Sequence, residues 1–468
     1  MKPELHDYDI YPKVFPVGKA VEITIRPLGE QSAFSGEYLV RIQRMDRSDM
    51  RTKEKSWISD DWNHTDYTVT PSADGCLRVV FTADGESEHY VRVYRGDRRV
   101  VQLSVYALEA DLASRIPYRG DLHVHTCRSD GHCDPATTCA YYRKLGYDFI
   151  VITDHRRYYP SIEAIHAFAG VKTALNILPG EEVHIPETMV HIINAGGLFS
   201  VNGLFTDKTY YYDYLYDGAN ERDTGGSLDG RRYDASVCPP EVMTPEQYNK
   251  ELDKIEKKLR ESGYPADGEP RSFAVCMWAF DKIREAGGLA VFPHPYWISN
   301  LWHENEILTM EMMARHPFDA FEVLGGENYY QQNGIQTALY YDEYRRGRVH
   351  PIVGSTDSHN PTENNRNYDI CSTIVFAHEN ERVDLLQSIK DGYSVAVDTI
   401  SKEYRLVGEF RYQKYAAFLM ENYYPIHDRQ AMLDGEIMRQ YYVGEATPEE
   451  VATASAKADA MFRKYFVR

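Results

Sequence analysis

No stretch of this sequence holds about 18 consecutive apolar residues, so no membrane-crossing helix is expected. The start, "MKPELHDYDIYPKVF", lacks a basic stretch followed by an apolar run, which points away from a secretory signal and towards the cytoplasm. CxxC pairs are missing as well. The seven cysteines (Cys76, Cys127, Cys133, Cys139, Cys238, Cys276 and Cys371) are scattered and odd in number, a pattern of reduced thiols rather than a disulfide framework. A basic surplus is also missing. The net charge of −19 leaves no global basic surface to displace counterions along a long nucleic acid, although a local basic pocket could still hold one phosphate. What is there describes a folded chain, 43% hydrophobic and 13% aromatic. Its 468 residues exceed one ordinary core and imply roughly two or three domains.

Residues 1–115 read as β structure. In "AVEITIRPL", Val21, Ile23 and Ile25 alternate with polar neighbours, and "GEYLVRIQRM", "CLRVVFTADG", "HYVRVYRGD" and "RVVQLSVYAL" follow at short intervals. A period of two with frequent Gly, Asp and Ser between runs predicts a small antiparallel β-sandwich. It carries no cluster of catalytic residue types and is expected to be a structural or docking module.

From residue 116 the pattern changes to short apolar runs alternating with helical segments. "YRGDLHVHT", "FIVITDH", "NILPGEEVHI", "LAVFPHP", "FDAFEVLGG" and "HPIVGSTDSH" read as strands, with helices such as "PATTCAYYRKLGYD" and "FAVCMWAFDKIREAGG" between them. "FIVITDH" lacks alternation, as a strand buried on both faces should. This predicts an α/β barrel over 116–400. Most strand candidates end in a residue able to bind a metal: His123 and His125, His155, Glu182, His191, His294, Asp357 and His359. The carboxyl ends of barrel strands share one face, so these residues would converge there. His123 and His125 are spaced i and i+2 and point to one side of a strand; Asp357 and His359 repeat that spacing. A single HxH or TDH is weak, but eight such residues at successive strand ends, drawn from a chain with 17 histidines, point to a polynuclear metal site. His6, His64, His89, His166, His303, His316, His350, His378 and His427 have no such placement and read as surface or core residues. No role is assigned to His184.

The ordered set "DLHVHTCRSDG", "IVITDH", "LPGEEVHI", "VFPHP" and "GSTDSH" resembles the motifs of the PHP (polymerase and histidinol phosphatase) superfamily over about residues 118–400. The resemblance implies a distorted (β/α)7, TIM-like barrel holding roughly two to three divalent ions, zinc, manganese or iron, and a phosphoesterase activity. It implies that His123, His125, Glu182 and Asp357 hold a first ion. Glu182 would bridge to a second completed by His191 and His294, and His155 and His359 would hold a third with help from the "SDGH" loop. The step "GEE" leaves Glu181 in competition with Glu182, with the count from "PGxE" favouring Glu182. In the loop, Asp130 is the choice and His132 the reserve.

The chemistry of these residues fits such ions by itself, since imidazole and carboxylate suit zinc, manganese or iron without a thiolate. Clustered cations stabilise the charge that builds on the oxygens of a phosphate ester, and arginine forks match phosphate. Arg128 lies within "HTCRSDG", and Arg156 and Arg157 follow "TDH", so all three are candidates for the substrate phosphate. Asp154 is expected to orient a ligand or a bound water.

Between 198 and 272 lies an insertion. Its first piece, "DKTYYYDYLYDGANERDTGGSLDGRRYD", reads as a loop serving as lid, stacking wall, mobile excursion or oligomer contact. Its second, "TPEQYNKELDKIEKKLRESG", reads as a surface helix with Thr244 as N-cap, Pro245 at the first helical position and Gln247 closing a capping box. "HPYWISNLWHEN" brings further aromatic rings towards the site. Residues 401–468 read as a helical extension, with Thr447 capping the last helix, that packs on the barrel or mediates a homo-oligomer. The expected activity is hydrolysis of a small phosphomonoester such as a nucleotide or sugar phosphate. Alternatives are amidohydrolase-type C–N hydrolysis, a phosphodiesterase or exonuclease activity, and a non-catalytic metal-binding module.

Overall fold

The computed structural model describes residues 2–46, 64–204, 243–298, 300–325, 330–362, 371–399 and 405–468. The chain forms two compact units, one made of Met1–Ile116, Lys414–Gln430 and Ala456–Arg468, the other of Pro117–Gln413 and Ala431–Ser455.

In the first unit β1 (Tyr8–Tyr11), β2 (Val14–Pro16), β3 (Val21–Pro27), β4 (Tyr38–Arg44), β5 (His64–Val69), β6 (Leu77–Phe81), β7 (Ser87–Arg95) and β8 (Arg98–Leu108) form two sheets, ordered β1-β3-β6 and β2-β8-β7-β4-β5. The alternation read from the sequence is the cause. Along β7 every second residue from Ser87 to Val93 is buried, and Val91 and Val93 join Val40, Ile23 and Ile25 in one core shared by both sheets. The pairing is antiparallel except between β2 and β8. The last residues belong to this unit, where Val467 N donates to the Val14 carbonyl at 3.0 Å and Lys13 N to the Tyr465 carbonyl at 2.8 Å. Burial of Tyr465 and Phe466 against the sandwich is the reason.

The second unit is mixed α/β. Its strands are β9 (Ile116–Asp121), β10 (Phe149–Val151), β11 (Asn176–Leu178), β12 (Gly180–Val183), β13 (Ile192–Ala195), β14 (Leu289–Phe292), β15 (Ala320–Leu324), β16 (Ile352–Gly354), β17 (Cys371–Ala377), β18 (Ser394–Asp398) and β19 (Arg405–Val407). They form sheets ordered β11-β10-β9-β17-β18-β19 and β12-β13-β14-β15-β16. Among the described residues these sheets, which include a curled half-barrel, do not close into a complete barrel. Two isolated bridges, Val124 to Ser358 and His155 to Glu182, tie them together beyond the carboxyl ends of β9, β10 and β16. β13 runs antiparallel to both neighbours, because the segment 184–191 joining it to β12 is too short for a crossover helix.

Thr244 and Gln247 close the expected capping box of the helix Pro245–Glu261, and Asp134 accepts from Thr137 N at the start of the helix Pro135–Lys144. That second helix does not lie loosely on the surface. Tyr248, Leu252 and Leu259 are buried with Phe273 and Trp278 of the helix Pro270–Glu285. Gly435 is required where it stands, since a Cβ there would lie 2.2 Å from the backbone nitrogen of Lys144. The tyrosine-rich stretch at 207–234 falls outside the described residues.

Candidate metal centre

β9 leads into "LHVH", and the alternation continues past the strand. Leu122 and Val124 turn into the core while His123 and His125 face the centre. β10 leads to His155, β12 carries Glu182, and His294 follows β14. Asp357 and His359 follow β16. The ends of β9 and β16 are laced together by Asp357 N donating to the His123 carbonyl (2.9 Å) and His125 N donating to the Ser358 carbonyl (3.0 Å). His294 (φ 24°) and Asp357 (φ 51°) sit in the left-handed region, strain that well-bonded surroundings hold at functional positions. His191 departs from expectation in one respect. It precedes the antiparallel β13, so it reaches the centre from the start of its strand.

All nine residues expected from the sequence gather here. Donor atoms of His125, Asp130, His155 and His359 lie within 4.8 Å of one another, as do those of His123, Glu182 and His294 and those of His123, His125 and Asp357. His191 Nδ1 is 2.8 Å from Glu182 Oε1. The choice between the two glutamates is resolved by their partners. Glu181 accepts from Ser200 Oγ (2.6 Å), Val201 N (2.5 Å) and the amides of Asn194 and Asn202. Glu182 points the other way, into the histidines. Its oxygens touch His155 Nδ1 and lie 3.5–3.7 Å from His123, His125 and His294. In the loop, Asp130 faces His155 Nε2 and His359 Nε2, each at 3.4 Å. His132 contributes its backbone N–H to the His359 carbonyl.

Sequence reasoning missed two residues. His184 joins His155 and Glu182 in a further set of donor atoms within 4.8 Å, with its Nε2 at 2.9 Å from His155 Nδ1. Glu322, fully buried on β15, lies 3.1 Å from His123 Nδ1. That contact places the His123 proton on Nδ1 and leaves Nε2 directed at Asp357 and Glu182. Likewise His359 Nδ1 donates to the Asp357 carbonyl at 3.0 Å, leaving Nε2 for Asp130.

Burial and charge pull the site in opposite directions, and the neighbouring carboxylates overcome burial to raise His123, His155 and His294 above the ordinary imidazole range. Burial opposes the ionised form of Glu182, but the surrounding imidazoles, His155 first, outweigh it and hold the carboxyl well below its ordinary range. Burial also pushes His125 down to about 3 and His191 down to about 4, which keeps their nitrogen lone pairs available. Both Glu182 oxygens, His123 Nε2, His125 Nδ1 and His191 Nδ1 are buried without a well-aligned hydrogen bond and face chiefly other imidazoles and carboxylates of the cluster. Buried polar atoms in such number are costly unless something else satisfies them. Imidazole and carboxylate donors at this spacing fit divalent cations.

The other candidates lie around the cluster. Asp154 accepts from Thr126 N, Thr126 Oγ1 and Ser129 Oγ, so it holds the loop that carries Asp130. The Arg128 fork pairs with Glu163, with bonds of 2.9 and 2.7 Å. The Arg157 guanidinium donates to the Arg128 carbonyl. Arg156, next to His155, donates its backbone N–H to the Glu182 carbonyl at 2.9 Å. The aromatic wall expected after His294 is present. Trp297 lies 6.1 Å from the His294 ring, and His303, read from sequence as surface or core, packs 4.9 Å from the His191 ring.

No known protein family matches the sequence, and no curated protein is significantly similar to it. Among solved structures, the chain is similar to PHP-like metal-dependent phosphoesterases. One is a two-domain protein of Bacteroides vulgatus containing a predicted PHP-like metal-dependent phosphoesterase (14% identity, 60% of this chain and 65% of that one, TM-score 0.37). A Bifidobacterium adolescentis protein named as a metal-dependent phosphoesterase matches at 17% identity over 51% of this chain and 87% of its own, TM-score 0.30. An amidohydrolase of Chromobacterium violaceum matches at 19% identity over 52% of this chain and 88% of its own, TM-score 0.27. The chain thus spans less than two thirds of the Bacteroides vulgatus protein. No described helix is long and apolar enough to cross a membrane.

Proposed function

We propose that the protein is a cytoplasmic, metal-dependent hydrolase of small phosphomonoesters. The observation that carries this reading is Glu182, a fully buried carboxylate whose two oxygens are met by ring nitrogens of His155, His191, His123, His125 and His294. His123, His125, Glu182, His191, His294 and Asp357 would hold two ions, and Asp130, His155 and His359 a third, with zinc, manganese or iron suited to these donors. Divalent cations bound there supply Lewis acidity and lower the pKa of a bound water towards about 7.

The chain's own residues do the positioning. Glu322 fixes the tautomer of His123, and Asp154 fixes the loop bearing Asp130. Asp121 accepts from His123 N and Thr356 Oγ1, which holds the ends of β9 and β16 in register. Arg128, Arg156 and Arg157, which lie next to the cluster residues in the chain, are the arginines assigned to the substrate phosphate. A net charge of −19 disfavours a long polyanion, whereas one terminal phosphate needs only the local positive field of the loaded site. The test is phosphate release from nucleoside monophosphates, sugar phosphates and the diester bis-p-nitrophenyl phosphate, using metal-reconstituted protein. Turnover of monoesters supports the reading. Turnover of the diester alone overturns the monoester assignment, and hydrolysis of amides alone overturns the phosphoester class.

A further inference from the structure

The segment after His294 folds back on itself. Trp297 N donates to the His294 carbonyl (2.9 Å), His303 N donates to the Trp297 carbonyl (2.8 Å), and Ile298 bridges Trp302 in antiparallel fashion. Trp297 and His303 turn their rings towards His191. Ile298, Leu301, Trp302 and Glu304 instead line a separate cavity of about 410 Å³. Trp302 is braced edge-on against Tyr296 at 5.2 Å, so the cavity has a fixed flat wall. Leu301 is 74% exposed, a degree of exposure that leaves an apolar side chain available to a ligand.

Glu304 is the odd member of this lining. It is 8% exposed, yet its carboxyl has no hydrogen-bond or ion-pair partner among the described residues. Burial pushes it up to about 8, with Glu269 adding to the shift and His294 opposing it, so at neutral pH it can both donate and accept a hydrogen bond. An apolar pocket with a flat wall and one such group is the usual form of a small-molecule subsite.

Building on the phosphoesterase reading, we propose that the pocket of Ile298, Leu301, Trp302 and Glu304 binds the ring-bearing leaving group of the substrate, with the Glu304 carboxyl hydrogen-bonding an N–H or O–H on that ring. The pocket lies on the loop that follows His294, whose charge acts on Glu304, and in this proposal a phosphate at the cluster and a ring in the pocket are two ends of one elongated ligand. The leaving group is then a flat heteroaromatic alcohol or nucleoside rather than glycerol or a bare sugar.

The test is calorimetric titration of the metal-loaded full chain with adenosine, purine riboside (adenosine without its amino group) and ribose. Both ring compounds should bind at least about tenfold more tightly than ribose, as stacking on Trp302 requires. Adenosine should exceed purine riboside by about fivefold, the contribution of one hydrogen bond to a buried group. Glu304→Leu should abolish that preference while ring binding persists. Trp302→Ala should weaken both ring compounds, and so should Leu301→Ser, an exposed change with little power to disturb folding. Equal binding of all three compounds overturns the proposal, as does an adenosine preference that survives Glu304→Leu. None of the probes carries phosphate, so this outcome is separable from the hydrolysis test.

Discussion

His123 Nδ1 lies 3.1 Å from Glu322 Oε2, with both side chains fully buried. The contact spans two strands and decides which nitrogen of His123 faces the cluster. Replacing Glu322 with Gln keeps the shape but removes the charge that orients and enriches the imidazole. Glu322→Gln is expected to lower metal affinity by about 10- to 100-fold, measured by competition against a chelator, with the fold intact by circular dichroism. An unchanged affinity would show that the contact is only structural.

Glu181 and Glu182 are neighbours with opposite environments, and their variants should separate accordingly. In Glu181→Gln the new amide meets the donors of Ser200, Asn194 and Asn202, which should cost about 2 kcal/mol of stability while the ion count stays the same. Glu182→Gln should reverse this, losing bound ions while the metal-free protein melts no lower than the parent. Thermal melts and elemental analysis of both variants decide the matter. A shared phenotype would contradict the assignment of roles.

A third prediction concerns acid and the sandwich. His89, on β7, is 1% exposed and packs against Phe81 at 5.3 Å, and burial lowers it from 6.5 to about 4. The unfolded chain takes up a proton near 6.5 while the folded one resists until about 4, so stability falls as pH drops through that window. Below it, both states carry the proton and the effect is complete, at roughly 3 kcal/mol by the conversion of 1.36 kcal/mol per unit. His89→Leu should flatten the dependence of the melting temperature on pH between these values; an identical slope in parent and variant would refute the origin in His89.

The clustered histidines were legible in the sequence because their spacing is itself a geometric statement. His123 and His125 at i and i+2 share a side of an extended chain, and the apolar runs before His155, His294 and His359 marked strand ends. The same spacing relates Glu182 to His184, a signal that was available and not used. Glu322 could have been suspected as the lone charge inside the apolar run "AFEVL", since a strand buried on both faces tolerates a carboxylate only with a partner. The orientation of Glu181 was not readable, because adjacent strand residues face opposite ways and only the positions of Ser200 and Asn202 tell which way is inward. Nor was the pairing of Arg128 with Glu163, which lies 35 residues away on another element. The reversed direction of β13 was hidden because a short apolar run does not encode its polarity.

The central claim is that the cluster around Glu182 is a polynuclear metal centre. Elemental analysis of protein purified without chelator and reconstituted with zinc or manganese tests it most directly. The account predicts roughly two to three ions per chain, with His125→Ala losing at least one of them and nearly all turnover. One ion or none per chain after reconstitution, in protein shown to be folded, would contradict it.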